Sequence, residues 1–360
     1  MPGKRRWRAA WVAIGLFFFS GLCGGKDVSL VVNDVPISEA AKVLERESGY
    51  KIECWGEELK GKRVTLDLKN VPFFQALLAL AKAANCGYSP ARTRGYVLEP
   101  GPAYPRPTHT EGPFQFRILK IARELDFSSL LASAKPVLRL WMHVQWEPKV
   151  WVGDSRDTVH IVSAKTDQGQ SLTLVTIDEG PRGSQVVRTK TSSSVSSLSQ
   201  QYYIQLNPPE AAGGHLAELK GYVTLNVAEL TGEIRFENPL RATNEKRAAG
   251  EAEVTLVSFT PRDGGFNAVL TFARKSSEER QPGLRASSPL SGGELVLLDD
   301  AGRTHSPQGE SWTREGSSHR MGLQFAELPE GRTPAALVFR FPASPREVDV
   351  EFEFKNVPLP

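Results

Sequence analysis

The feature that most restricts what this chain can fold into is a repeat near its start. Residues 28–50 read VSLVVNDVPISEAAKVLERESGY, and residues 64–88 read VTLDLKNVPFFQALLALAKAANCGY. At an offset of 36 positions Val28 meets Val64, Val35-Pro36 meet Val71-Pro72, Ala40 meets Ala76 and Leu44 meets Leu80. Two extra residues then bring Gly49-Tyr50 onto Gly87-Tyr88. Each unit opens with alternating apolar residues (Val28, Leu30, Val32; then Val64, Leu66, Leu68), the period of a half-buried strand. Val-Pro follows, and proline suits a helix start because its missing N–H has no partner there. Ala40, Val43 and Leu44, then Ala76, Leu77 and Leu80, recur at helical spacing. Glycine or Asn-Cys-Gly ends each helix. Second strands are expected over Tyr50–Cys54 and about Gly95–Leu98. The unit is thus βαβ twice, and residues 26–99 form one compact α+β domain with two helices on a small sheet.

The string Val64-Thr65-Leu66-Asp67-Leu68-Lys69-Asn70-Val71-Pro72 with Gln75-Ala76-Leu77-Leu78 resembles the secretin and TonB short N-terminal domain, over residues 28–99. The resemblance implies a periplasmic location and contact with other envelope proteins, either an inner-membrane assembly or a regulatory transducer. It brings no catalytic residue. Beyond residue 113 the chain shows neither a second module nor the run of ~10-residue amphipathic strands of an outer-membrane barrel, so it is not expected to be a secretin or a transport receptor.

Residues 1–25 have the three parts of a secretory signal. Lys4, Arg5, Arg6 and Arg8 come first, then the apolar run Ala9–Phe19, then small residues up to Gly24 and Gly25. The run is short for a membrane span, which needs ~20 apolar residues, and cleavage is expected after Gly25 or near it. A retained N-terminal anchor is the competing reading, and it would be the chain's only membrane contact. Lipid modification of Cys23 is opposed by Leu22 before it, and a twin-arginine route by the missing downstream Phe-Leu. The formal net charge is +3, of which this segment carries +4, so the rest sums to −1. No dense Lys/Arg cluster follows residue 25, which argues against nucleic acid as a partner.

Pro100, Pro102, Pro105, Pro107 and Pro113 mark residues 100–113 as an extended linker. Alternation then dominates. Phe114, Phe116 and Ile118 share a face. Leu138, Leu140, Met142 and Val144 share another, with Arg139, Trp141 and His143 opposite. Phe266–Phe272, Met321–Phe325, Leu337–Phe341 and Val348–Phe354 repeat the pattern, with turn signals at 166–169, 263–265 and 299–302. Two all-β, sandwich-like (Ig-like) domains are expected, 114–240 and 250–360, joined at 244–250. Arg188–Gln201 and Arg274–Gly293 read as long polar loops.

The chain carries three cysteines, too few for a four-Cys metal site. Cys54 and Cys86 pair in an oxidising compartment only if they lie close. The repeat sets them at opposite ends of equivalent strands, which favours two free thiols. The histidines at 109, 143, 160, 215, 305 and 319 match no metal-binding spacing, although His143 and His160 flank strands that could converge. No nucleophile elbow, P-loop or dinucleotide fingerprint is present, and Asp299-Asp300 reads as turn chemistry rather than a calcium loop. No catalytic, cofactor-binding or metal site is expected. Trp141, Trp146 and Trp151 are candidate platforms for stacking a sugar ring, with core packing as the other reading. The first functional reading is therefore a non-catalytic, exported interaction or scaffold protein. The second is an extracellular carbohydrate-binding protein or hydrolase with a loop-built site on the sandwiches.

Overall fold

The computed structural model describes residues 25–91, 95–101, 106–126, 135–153, 158–175, 178–179, 185–188, 198–208, 214–250, 252–274, 293–315 and 318–360. Residues 1–24, and most of the two polar stretches (189–197 and 275–292), lie outside them. Over the described residues the chain is mostly strand, with two α-helices, and no helix is long and apolar enough to cross a membrane.

The N-terminal unit runs β1 (Asp27–Pro36), α1 (Ile37–Ser48), β2 (Ile52–Cys54), β3 (Arg63–Pro72), α2 (Phe73–Ala83), β4 (Cys86–Pro90) and β5 (Tyr96–Pro100). The repeat survives in the backbone. Asp34 and Asn70 take the left-handed conformation at corresponding positions (φ 47° and 52°), which short polar side chains tolerate. Pro36 and Pro72 are the last extended residues before each helix. Gly49, at φ 75°, closes α1, whereas α2 closes at left-handed Asn85, and Gly87 already belongs to β4. The strand pairing departs from two self-contained βαβ units. β1 pairs antiparallel with β3, from Asp27↔Pro72 to Pro36↔Arg63. β2 instead runs parallel to β5, and β5 pairs antiparallel with β4. The helices thus lie against two small sheets rather than one. The reason is visible in α2, where Phe73, Phe74, Ala76, Leu77, Leu80 and Ala81 are all buried. A helix that is apolar around most of its circumference needs cover on more than one side.

β6 (Thr108–Glu111), β7 (Phe114–Asp126), β8 (Lys135–Trp146), β9 (Val150–Val152), β10 (Thr158–Thr166), β11 (Asp178–Glu179), β12 (Gln185–Arg188), β13 (Ser199–Leu206) and β14 (His215–Glu237) follow. Then come β15 (Thr243–Ala249), β16 (Ala252–Arg262), β17 (Gly265–Arg274), β18 (Glu294–Asp299), β19 (Thr304–His305), β20 (Gly309–Glu315), β21 (Ser318–Ala326) and β22 (Pro334–Pro358). One sheet has the order β13-β8-β7-β6 and another β15-β16-β17-β21-β20. The largest has the order β11-β12-β10-β14-β22-β18-β19, with β9 also on β14.

β14 and β22 pair along their whole length, from His215↔Pro358 to Glu237↔Ala336, and so serve two cores. In the first, Phe116, Leu140, Met142 and Val144 meet Val223, Leu225, Phe352 and Phe354. In the second, Val254, Leu270, Phe272 and Phe325 meet Ile234, Phe236, Leu337 and Phe339. Buried positions switch from odd to even numbers along each long strand, across the register shifts at Val227–Gly232 and their partners. A bulge on each strand produces that change of parity without breaking the ladder.

This arrangement corrects the expected boundaries. Residues 346–358 of the expected second sandwich pair with residues 215–227 of the first. The expected joint at 244–250 is instead half of the β15–β16 hairpin. The proline-rich stretch is not a free linker either: Thr108–Glu111 pairs with Phe114–Arg117, and the Pro107 carbonyl accepts from the Ile118 amide (3.0 Å). Ser199–Gln201, read as the end of a loop, opens β13 against β8.

Candidate functional site

The most unusual chemistry among the described residues lies where the N-terminal unit meets the β13-β8-β7-β6 sheet. Phe114, Phe116 and Ile118 point into the core, so alternation sends Gln115 and Arg117 to the other face of that sheet. On β8, His143 and Gln145 lie on that face too. In the sequence these read as solvent-facing positions, yet Gln115 and Gln145 are buried, because the N-terminal unit covers them. The Tyr88 hydroxyl donates to Gln115 Oε1 (2.6 Å), and Arg117 Nε donates to the same oxygen (2.9 Å). The Arg117 guanidinium lies 3.9 Å from the centre of the Tyr88 ring and also donates to Gln145 Oε1. The Tyr96 hydroxyl donates to the Trp146 carbonyl (3.0 Å). Phe73 sits between Tyr50 and Tyr96, its ring centre 4.9 Å and 5.8 Å from theirs.

Glu147 is the centre of the second half of this seam. Pro148 stops β8 after Trp146, and the turn back to β9 holds Glu147 by its own backbone. Its amide donates to the Pro113 carbonyl, and its carbonyl accepts from the Val150 amide. Its side chain is 0% exposed. The carboxylate accepts from the Tyr50 hydroxyl (2.8 Å) and, with both oxygens, from the Lys26 backbone N–H (3.0 and 3.1 Å). Lys149 Nζ stands 4.0 Å away. The Lys26 carbonyl accepts from the Phe73 amide (2.8 Å), so one residue ties the start of β1 both to α2 and to Glu147.

Burial sets the protonation of this seam. It holds the Tyr50, Tyr88 and Tyr96 hydroxyls above the usual tyrosine range. It also raises the Glu147 carboxyl, in spite of the bonds from Tyr50 and Lys26. His143 is pulled down to about 4, first by burial and then by the Arg117 and Arg106 charges. The imidazole and the three phenols are therefore neutral at physiological pH, because burial disfavours their charged forms.

The tryptophans do not form a platform. Trp146 and Trp151 are 5% and 6% exposed, inside the fold. Trp141 is half-buried on the outer face of β8, packed edge-on against Tyr203 (6.1 Å), with Lys120 Nζ 4.7 Å from its ring. The histidines are dispersed as well. His143 belongs to the seam, His160 stacks on Tyr222 (4.4 Å), and His305 pairs with Asp299 Oδ2 (3.1 Å). Asp299 also accepts from the amides of Ala301 and Arg303, which is turn chemistry. Among the described residues no three His, Cys, Asp or Glu side chains are grouped to hold a metal. Cys54 and Cys86 are free thiols. They flank β5, opposite Leu98 and Pro100, so two strand spacings (~9.5 Å) and a two-residue stagger separate them, beyond disulfide reach of about 7 Å between Cα atoms.

Opposite in character is the β1–β3 sheet. It has two strands, so among the described residues each has an unpaired edge. Its outward face carries Ser29, Val31, Thr65, Asp67 and Lys69, and Val31 is 56% exposed. Trp55, at the end of β2, is 53% exposed. No family model matches the chain, and no curated protein is similar to it. Among solved structures it is similar to "the conserved domain protein from Bacillus anthracis". That alignment has 10% identity and a TM-score of 0.20, and covers 69% of this chain and 89% of the other. A likeness so slight carries no argument about either fold or function.

The polar half of the seam is hidden in the sequence because Gln115, Arg117, His143 and Gln145 lie on the outward parity of their strands. One signal did point to it. The twice-occurring Gly-Tyr of the repeat supplies Tyr50 and Tyr88, and both hydroxyls cross to the β13-β8-β7-β6 side.

Proposed function

We propose that this chain is an exported cell-envelope protein that acts without catalysis, as an interaction or scaffold protein. Residues 26–99 are its contact module, of the secretin and TonB short N-terminal type, with the first repeat giving β1 and β2, and the second β3, β4 and β5, to the two small sheets. The β units behind it are Ig-like sandwiches that share two long strands and carry the module on a fixed base. The observation that supports this reading best is the contrast within the module. One side is locked to the β13-β8-β7-β6 sheet through Glu147, Gln115 and the Trp146 carbonyl. The β1–β3 sheet on another side has, among the described residues, an unpaired edge on each strand, beside exposed Val31. An open edge accepts a partner's strand by backbone hydrogen bonds. The partner class is another envelope protein. Burial of Trp146 and Trp151 removes the main support for a carbohydrate site.

The test places a photo-crosslinking residue at Val31 in the full chain, expressed in a host with an envelope, with a second at Trp141 as control. A discrete crosslinked partner from position 31 alone is expected, in the periplasmic fraction. Retention in the cytosol with the leader intact, equal labelling from both positions, or turnover of a hydrolase substrate by the purified protein would each overturn the proposal.

A further inference from the structure

We infer that Glu147 is the receptor for a new α-amino group at Lys26, formed when the leader is cut between Gly25 and Lys26. The inference rests on the export reading above and adds a structural consequence of processing. Glu147 is a carboxylate with no exposed side-chain surface, and both its oxygens face one backbone nitrogen at 3.0 and 3.1 Å. In the uncut chain that nitrogen is an amide with a single hydrogen, which cannot serve two oxygens well at once. An α-ammonium has three hydrogens and a full positive charge. It would give each oxygen its own charge-assisted bond. A buried carboxylate is costly unless it is paired with a charge, and the other cation at hand, Lys149 Nζ, is 4.0 Å away and more than a third exposed.

The surroundings fit a chain terminus. Gly25 occupies a slot in which a β-carbon would lie 2.9 Å from the Gly112 carbonyl oxygen and 3.2 Å from Glu147 Oε1. Only glycine passes there, and Cys23 and Gly25 are the small residues that a leader peptidase reads at the third and first positions before its cut. The hydrolysis adds one water across the Gly25–Lys26 amide. The leader leaves with a carboxylate on Gly25, and Lys26 keeps the amine, which is protonated at neutral pH. Other groups around the pair are Tyr50 and Tyr96 of the module, Asp27 beside Lys26, Lys149 in the same turn and, acting on Tyr50, Glu229 on β14. None of the two phenols and three ions replaces an ammonium bonded to both oxygens. Cleavage thereby couples to docking, since the charge that completes the Glu147 site exists only in the mature chain.

Four proteins released from a fusion by a protease that leaves no extra residue provide the test. One begins at Lys26, one at Gly25, and one at Lys26 with Glu147→Gln; a Gly25 start carrying the same substitution completes the comparison. At pH 7 the first should melt roughly 5 °C above the second, the scale expected for completing a buried ion pair. An α-amine raised by a partner contributes fully below its free pKa of about 8, and the contribution is lost as pH rises through the raised value. The excess should therefore vanish towards pH 11 and be absent when the Lys26 and Gly25 starts are compared in the Glu147→Gln background. Equal melting at pH 7, an excess independent of pH, or an excess that survives Glu147→Gln overturns the pairing. The intact mass of the protein exported from the full chain separates the two levels. A first residue of Lys26 without the stability excess overturns the pairing alone, whereas a retained leader overturns both the pairing and the export reading.

Discussion

Substituting His143→Gln should make the protein markedly less sensitive to mild acid. His143 lies in the seam, with Gln145 Nε2 3.4 Å from its Nδ1. Its folded pKa is about 4 against an ordinary 6.5, because burial disfavours the imidazolium and the Arg117 and Arg106 charges add to that. The folded value is the lower one, so the unfolded chain takes up the extra proton as pH falls. Stability is present above pH 6.5 and is lost between there and pH 4. Between pH 7.5 and pH 5 the loss works out at about 2 kcal/mol from this one residue, using the values just given. The glutamine amide put in its place has no titration and can still meet Gln145. Urea unfolding of both proteins at pH 7.5, 6 and 5 measures the difference, followed by the fluorescence of buried Trp146 and Trp151. His109 and His160, also lowered by burial, affect both proteins alike and cancel. The reasoning fails if the two proteins lose the same stability between pH 7.5 and 5, whatever their difference at pH 7.5.

Tyr50→Phe removes the hydroxyl that Glu147 accepts from at 2.8 Å. It should cost about 1–3 kcal/mol in urea unfolding, the range for a buried acceptor stripped of a donor. Trp146→Ala should lower stability by about 3–5 kcal/mol as a core truncation and leave a glycan-array profile unchanged, so an unaffected melting temperature would contradict its burial. A chain beginning at Lys26 should yield two thiols by titration in denaturant without reductant. In the native state Cys86, buried and pushed up to about 11, should react far more slowly than an exposed thiol; zero thiols in denaturant would mean that Cys54 and Cys86 pair after all.

What the sequence determined alone was everything with a short period. The repeat announces two strands, two helices and their Val-Pro starts. Alternation marks Phe116, Leu140, Phe272 and Phe352 as core, and Asp263-Gly264-Gly265 marks the β16–β17 turn. These follow from local backbone preference and side-chain direction, which a few neighbouring residues dictate. Tertiary structure decided which strand each strand meets. β1 leaves its own unit to pair with β3, and the end of β22 crosses back to the first core, because partners compete through non-local burial that no window of sequence contains. It also decided the fate of Gln115, Arg117, His143 and Gln145, polar residues on the outer parity of a sheet. Their positions read as solvent-facing until a second domain covers that face, and only then do Tyr50, Tyr88 and Glu147 become the bonds that hold the two together.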